Sequence, residues 1–179
     1  MSPQRPPDVE TLFREVYPSL FRYCQRMTGD PDQADDLAQE AFLRLMDREV
    51  RGSEPSLRSW LFRVATNLAR DGFRTRRTRE RRTRVLAGEM GERRDPGPGR
   101  ALERQETVDA VREALEGLKP RDREMLLLRQ EGFSYREIAE LVEVAPGSVG
   151  SLLARALRRF ETAFRSTGDE RKDHDGTPG

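Results

Sequence analysis

Apolar positions recur at i, i+3, i+4 and i+7 along most of this 179-residue chain, and no stretch shows the strict alternation of a half-buried strand. The pattern predicts helices only. Leu12, Phe13, Val16, Leu20, Phe21, Cys24 and Met27 mark a first helix from about Asp8 to Thr28, with Pro18 as a kink and Gly29 as its stop. Asp30-Pro31 caps a second helix, in which Ala34, Leu37, Ala38, Ala41, Phe42 and Leu45 share one face and acidic residues the other. A polar loop from Arg51 to Ser56 precedes a third helix. Its core stripe is Leu57, Trp60 or Leu61, Val64 and Leu68, with Arg63, Asn67, Arg70 and Arg74 opposite. From about Glu80 to Arg100 the period lapses, and Gly88, Gly91 and the run Asp95-Pro-Gly-Pro-Gly99 mark a flexible linker. Beyond it, Val108, Val111, Leu115 and Leu118 form one helix, and Met125 to Leu128 lie in another between Pro120 and Gly132.

The residues from Gly132 to Phe160 spell a helix-turn-helix. Ser134 and Glu137 stand at capping-box spacing, and Phe133 and Ile138 flank them as a hydrophobic staple. Ile138, Ala139, Leu141 and Val142 face inward, and Ala145-Pro146 then opens the next helix. There Val149, Leu153, Ala156 and Phe160 face the core. Ser148, Ser151, Arg155 and Arg158 face outward, with Arg159 beside them, where they can reach a phosphate backbone. Agreement among two capping devices, a small residue at the close approach and a basic second helix favours a DNA-reading motif over a soluble helical hairpin.

Composition divides the chain further. With 35% hydrophobic against 36% charged residues, two small cores fit better than one large one. The net charge is only +1, but it is segregated: Asp30 to Asp47 holds six acids and one arginine, while Arg70 to Arg84 holds eight arginines and two acids. Those segments should bind different things. Of the basic residues only Lys119 and Lys172 are not arginine, which a GC-rich genome explains, so placement rather than abundance of arginine carries the argument. Cys24 is the only cysteine and His174 the only histidine; this excludes an internal disulfide and a Cys/His zinc site and leaves Cys24 as core packing. No membrane span, signal segment, nucleotide-binding loop or nucleophile-base constellation is present, so the expectation is a cytoplasmic, non-enzymatic protein with no catalytic residue, metal or cofactor. The fold expected is all-α: a helical domain over 8–80, a flexible linker over 81–102, a helix-turn-helix domain over 103–165 and a disordered tail over 166–179. With no periodic apolar face in the linker, the two domains are expected to move independently.

Taken in order, these segments resemble a bacterial RNA polymerase sigma factor of the extracytoplasmic-function type. The run TGDPDQADDLAQEAFLRL, Thr28 to Leu45, is similar to that family's polymerase-binding region, and SWLFRVATNLARD, Ser59 to Asp71, to its downstream promoter-reading helix. RDREMLLL, Arg121 to Leu128, with the helix-turn-helix after it, is similar to the domain that reads the upstream element. The resemblance implies a transcription initiation factor. Asp36, Gln39, Glu40 and Leu43 would meet core RNA polymerase; Arg63, Asn67, Arg70 and Arg74 would lie along minus-ten phosphates; the loop from Arg51 to Ser56 would accept an unstacked base. Ser148, Ser151, Arg155, Arg158 and Arg159 would contact the minus-thirty-five element, and an anti-sigma factor is an expected partner. Two departures stand out. Glu143 replaces the usual turn glycine, and Gly150, Leu152 and Ala154 occupy recognition-helix positions where the family often carries basic residues, leaving little for direct base readout. A stand-alone helix-turn-helix regulator is the alternative; it would need neither the acidic second helix nor the arginine-bearing third.

Overall fold

The computed structural model describes residues 8–48, 50–83 and 100–174, with side chains described through 72 and from 107 to 167. Every regular element among them is helical: α1 (Val9–Thr28), α2 (Pro31–Asp47), α3 (Glu54–Thr83), α4 (Arg100–Glu116), α5 (Pro120–Gln130), α6 (Tyr135–Val142), a 3-10 turn (Pro146–Ser148) and α7 (Val149–His174). The first three form one unit around α1, and the remaining five form a second, in which α7 packs on α4 and α5.

Local chemistry sets the boundaries. Gly29 ends α1 in the left-handed conformation, φ 71°, so the backbone calls for glycine; a Cβ there would meet only the flexible end of Arg112. Asp30 caps α2 by accepting from the backbone N–H groups of Asp32 and Gln33. Leu12, Val16, Leu20, Cys24 and Met27 are buried as their spacing predicts, and burial pushes the Cys24 thiol up to about 12. Phe13 is exposed instead, and Tyr23 takes an interior place that periodicity missed. On α3 Leu61, not Trp60, is fully buried, and the covered face is wider than one stripe, taking in Phe62, Ala65, Thr66 and Ala69. In the second unit Val108 stays exposed, while Ala110 and Ala114 line the core with Leu115 and Leu118.

Two further differences concern organisation. Helix α3 continues to Thr83 and α4 begins at Arg100, so the expected linker reduces to residues 84–99, which lie outside the described residues. Rather than standing apart, the two units pack together, α1 on α5 and α3 on α6. Phe62 of α3 meets Phe133 of the second unit edge to face, ring centroids 4.8 Å apart, and both rings are fully buried. The expected disordered tail is also helical as far as His174; residues 175–179 lie outside the described residues. There the hydroxyls of Thr162, Ser166 and Thr167 donate to carbonyls four residues earlier, and Phe160 stacks on Phe164, so the polar residues continue the helix rather than end it.

The helix-turn-helix forms as its caps dictate. The Ser134 hydroxyl accepts from the Glu137 N–H at 3.3 Å, and the Glu137 carboxylate accepts from the Ser134 N–H at 2.8 Å. After Val142 the chain turns at Glu143, whose φ of 58° and ψ of 52° lie in the left-handed region. A non-glycine residue there costs roughly 1 to 2 kcal/mol. Glu143→Gly should therefore exceed Glu143→Ala in stability by about that amount, since both remove the same charge and only one relieves the backbone. Denaturant unfolding of the pair checks this; equal midpoints contradict the strain.

The hydrogen bonds from Ser134 hold the Glu137 carboxyl below its ordinary value. Its contribution to stability is complete above the unfolded glutamate value of about 4.3 and is lost as pH falls through the depressed folded value. Wild type should lead Glu137→Gln at neutral pH, and the gap in denaturant midpoint should close as pH drops below that range. A gap independent of pH would exclude this cap.

Candidate nucleic-acid interface

Three surfaces carry the polar side chains singled out by the sequence. On α7, Ser151, Ala154, Arg155 and Arg158 are exposed on the side away from Val149, Leu153 and Ala156. The Ser151 hydroxyl donates to the Ser148 carbonyl at 3.0 Å, which ties down the first turn and occupies that donor. Gly150 has room: a Cβ would lie 3.5 Å from the Tyr135 ring, an ordinary contact. Arg159 is differently placed from its neighbours, because its guanidinium donates to the buried carboxylate of Asp122 on α5. An open groove of about 420 Å³ runs between Arg155, Arg158, Arg159, Thr162 and Ala163. This face offers the exposed guanidinium groups of Arg155 and Arg158, chemistry suited to phosphates more than to base edges.

Helix α3 splits its predicted set. Arg63 and Asn67 lie together on the exposed side, whereas Arg70 is half-buried and turned to the second unit. Its Nε donates to one carboxylate oxygen of Glu124 at 2.8 Å, and a terminal nitrogen donates to the other. Glu124 is 1% exposed. Hydrogen bonding to that carboxylate raises the Arg70 pKa, fixing the charge. Arg74 stands on the same helix, its side chain outside those described. Of the loop from Arg51 to Ser56, residues Glu54, Pro55 and Ser56 already form the first turn of α3, and Arg51, Ser53 and those three are exposed.

On α2, Asp36, Gln39 and Leu43 are exposed in one stripe with half-buried Glu40, above an underside of Ala34, Ala38, Ala41 and Phe42. Internal bonds stiffen it: Arg44 donates to Glu40 at 2.7 Å, Gln39 donates to Asp35 at 2.7 Å, and the Tyr17 hydroxyl also donates to Asp35. Burial and that carboxylate push the Tyr17 phenol up to about 12. Met46, 56% exposed, extends the stripe beside Leu43 at 55%. Exposed apolar side chains at helical spacing amid acids were a signal available in the sequence.

Arginines outside the predicted sets also prove structural. Arg58 lies over the Phe133 ring, 4.1 Å from its centroid, and donates to the Glu131 carbonyl. Arg22 and Arg26 of α1 reach the Glu131 carboxylate at 3.5 and 3.3 Å, and Arg123 of α5 donates to the Met27 carbonyl at 3.0 Å. Among the described residues no cluster of three or more acidic, histidine or cysteine side chains is arranged to hold a metal, and no helix is long and apolar enough to cross a membrane.

Comparison with known proteins falls on the same two units. The family described as Sigma-70 region 2 matches residues 12–79, and Sigma-70, region 4 matches residues 109–160. The chain is 34% identical over 173 residues to the ECF RNA polymerase sigma factor SigG of Mycobacterium tuberculosis, covering 84% of this chain and 47% of that one. It is 32% identical over 156 residues to the ECF RNA polymerase sigma factor EcfG of Rhodopseudomonas palustris, covering 86% and 83%. The fold is similar to the sigma factor RpoE of Bartonella quintana, solved in complex with the anti-sigma factor NepR, with a TM-score of 0.65 and 24% identity over 87% of this chain and 96% of that one. The chain spans about half the length of the first relative and most of the second. Two separate family matches in chain order, with relatives above 30% identity, show that this chain belongs to the extracytoplasmic-function sigma factors.

Proposed function

We propose that the chain is a transcription initiation factor that docks on core RNA polymerase and directs it to specific promoters. The observation that carries the reading is the α2 stripe: Asp36, Gln39, Glu40, Leu43 and Met46 present an acidic face with an apolar centre, held rigid from below and unused by the fold. A stand-alone regulator gives that face no work. The first unit supplies Arg63, Asn67, Arg70 and Arg74 to the minus-ten phosphates and the loop from Arg51 to Ser56 to an unstacked base; the second lays α7 against the minus-thirty-five element through Ser151, Arg155 and Arg158, with Ser148 of the preceding 3-10 turn. Bond making belongs to the polymerase, the factor works where the polymerase is, in the cytoplasm, and an anti-sigma factor is its natural inhibitor. The likeness in fold to a sigma factor solved with such a partner supports that last point.

Reversing the charge at Asp36 and Glu40 should weaken core binding by at least about tenfold, or 1.4 kcal/mol, while leaving the helical circular-dichroism signal unchanged. A pull-down titration against core polymerase measures it, and unaltered affinity would remove α2 from the docking surface.

Binding of the second unit to duplex DNA should fall steeply with salt and discriminate weakly between sequences. Arg158→Ala should lessen the log-log salt slope by about 0.9 without changing thermal stability. Arg159→Ala should instead lower the melting temperature, because it leaves the Asp122 charge buried without its partner. Equal behaviour of the two variants would show that Arg159 serves DNA rather than the fold.

A further inference from the structure

An aromatic row on α1 lies alongside α2. Phe13, Tyr17 and Phe21 recur every fourth residue and stack, with ring centroids 4.4 Å apart in the first pair and 6.5 Å in the second. Phe42 of α2 meets Phe13 and Tyr17 at 5.0 and 6.1 Å. Phe13 stays 43% exposed, so its own burial is incomplete; what it does is fix the Tyr17 ring. The ring so held brings its hydroxyl to α2, where it donates to one carboxylate oxygen of Asp35. The other oxygen of that carboxylate accepts from the Gln39 side-chain nitrogen at 2.7 Å. Burial and Asp35 push the Tyr17 phenol up to about 12, so near neutral pH it keeps its proton and the relay has one direction. A glutamine amide is planar, with its donor on one branch and its acceptor on the other. With the nitrogen of exposed Gln39 fixed on Asp35, its carbonyl oxygen points away from that carboxylate, and among the described residues nothing donates to it. Glu40 is set in a similar way: one oxygen accepts from Arg44 at 2.7 Å, leaving the second.

We propose that Tyr17 and Asp35 are positioning residues for polymerase binding: they hold the Gln39 amide by its nitrogen, so that the docking face presents the Gln39 carbonyl oxygen as an acceptor beside the carboxylates of Asp36 and Glu40. This rests on the reading of α2 as the docking helix and names the chemistry of what it meets. Asp36, Gln39 and Glu40 then all offer acceptors, and the polymerase surface that fits them is one of donors, guanidinium, ammonium or N–H groups. An unheld glutamine would have to be ordered on binding and would as readily turn its NH2 group to those donors. Holding one such side chain in advance is worth roughly three- to tenfold in affinity. Neither Tyr17 nor Asp35 need touch the polymerase for this.

Anisotropy of the full chain, labelled at its amino terminus and titrated with core RNA polymerase, tests this as a double-mutant cycle. Tyr17→Phe keeps the ring stack and removes only the hydroxyl; it should weaken binding roughly three- to tenfold with an unchanged circular-dichroism spectrum. Gln39→Ala should weaken binding at least as much, and Tyr17→Phe added to Gln39→Ala should cost nothing more. Asp35→Ala reaches the same amide from the α2 side and should show the same dependence on Gln39. Nitrogen-edited NMR gives a second readout: the Gln39 side-chain NH2 signals should be displaced from free-amide positions in the wild type and return to them in Asp35→Ala. Full affinity in Tyr17→Phe and Asp35→Ala, a loss that is the same with and without Gln39, or free-amide signals in the wild type overturns the positioning while leaving α2 as the docking helix. Core affinity that survives charge reversal at Asp36 and Glu40 instead removes the docking reading itself, and this proposal with it.

Discussion

A carboxylate placed almost wholly out of water must find a cation, and Glu124 finds Arg70 across the boundary between the two helical units. Removing Arg70 would leave the Glu124 charge buried without it, at a cost of about 3 to 5 kcal/mol. Much of the remaining geometry fits around this bond. It ties α5, which packs on α1, to α3, beside the place where Phe133 meets Phe62 and Arg58 lies over both rings. Tyr23 completes the contact from α1, its hydroxyl 2.7 Å from that of Thr66, which in turn donates to the Phe62 carbonyl. Burial pushes the Tyr23 phenol far up, so it stays neutral throughout.

The same arginine is wanted elsewhere. Its helix carries Arg63 and Asn67 on the exposed side, and promoter phosphates along that side would extend naturally to Arg70. A guanidinium bound through Nε and one terminal nitrogen keeps its other N–H groups, but its side-on fork and its direction are taken by Glu124. On the proposed reading, fold and function compete for one side chain. The α2 stripe has no such conflict, since Asp36, Gln39 and Leu43 point away from the second unit's contacts and Glu40 is tied only within its own helix. If α2 docks on the polymerase and α3 on a promoter strand, as proposed, docking would leave these contacts intact, whereas strand capture would meet an Arg70 already bound to Glu124.

Much of this was legible in the sequence because it depends on near neighbours. The Asp30 cap, the Ser134 and Glu137 box, the stop at Gly29, and the buried faces of α2 and α6 are all written within a few residues of where they act. The departure at Glu143 was visible as well, and its left-handed backbone is what that position required. Pairings between distant residues were not legible. Arg70 and Glu124 stand 54 residues apart, Arg159 and Asp122 37 apart, and an arginine on a helix surface looks the same whether it faces solvent, DNA or a buried acid. Phe133 was read as a local staple and proves to serve two cores at once. The packing of the units was missed for that reason, since no apolar period runs through the linker to announce it.

The Nε–H resonance of Arg70, observed by nitrogen-edited NMR of the free chain and assigned by its disappearance in Arg70→Lys, reports this competition at the atom concerned. The account predicts slow exchange with water, relative to the exposed Arg63 as internal reference, and a change in that resonance when core polymerase and a promoter strand are added together. An Arg70 Nε–H that exchanges as fast as that of Arg63 in the free chain would contradict it.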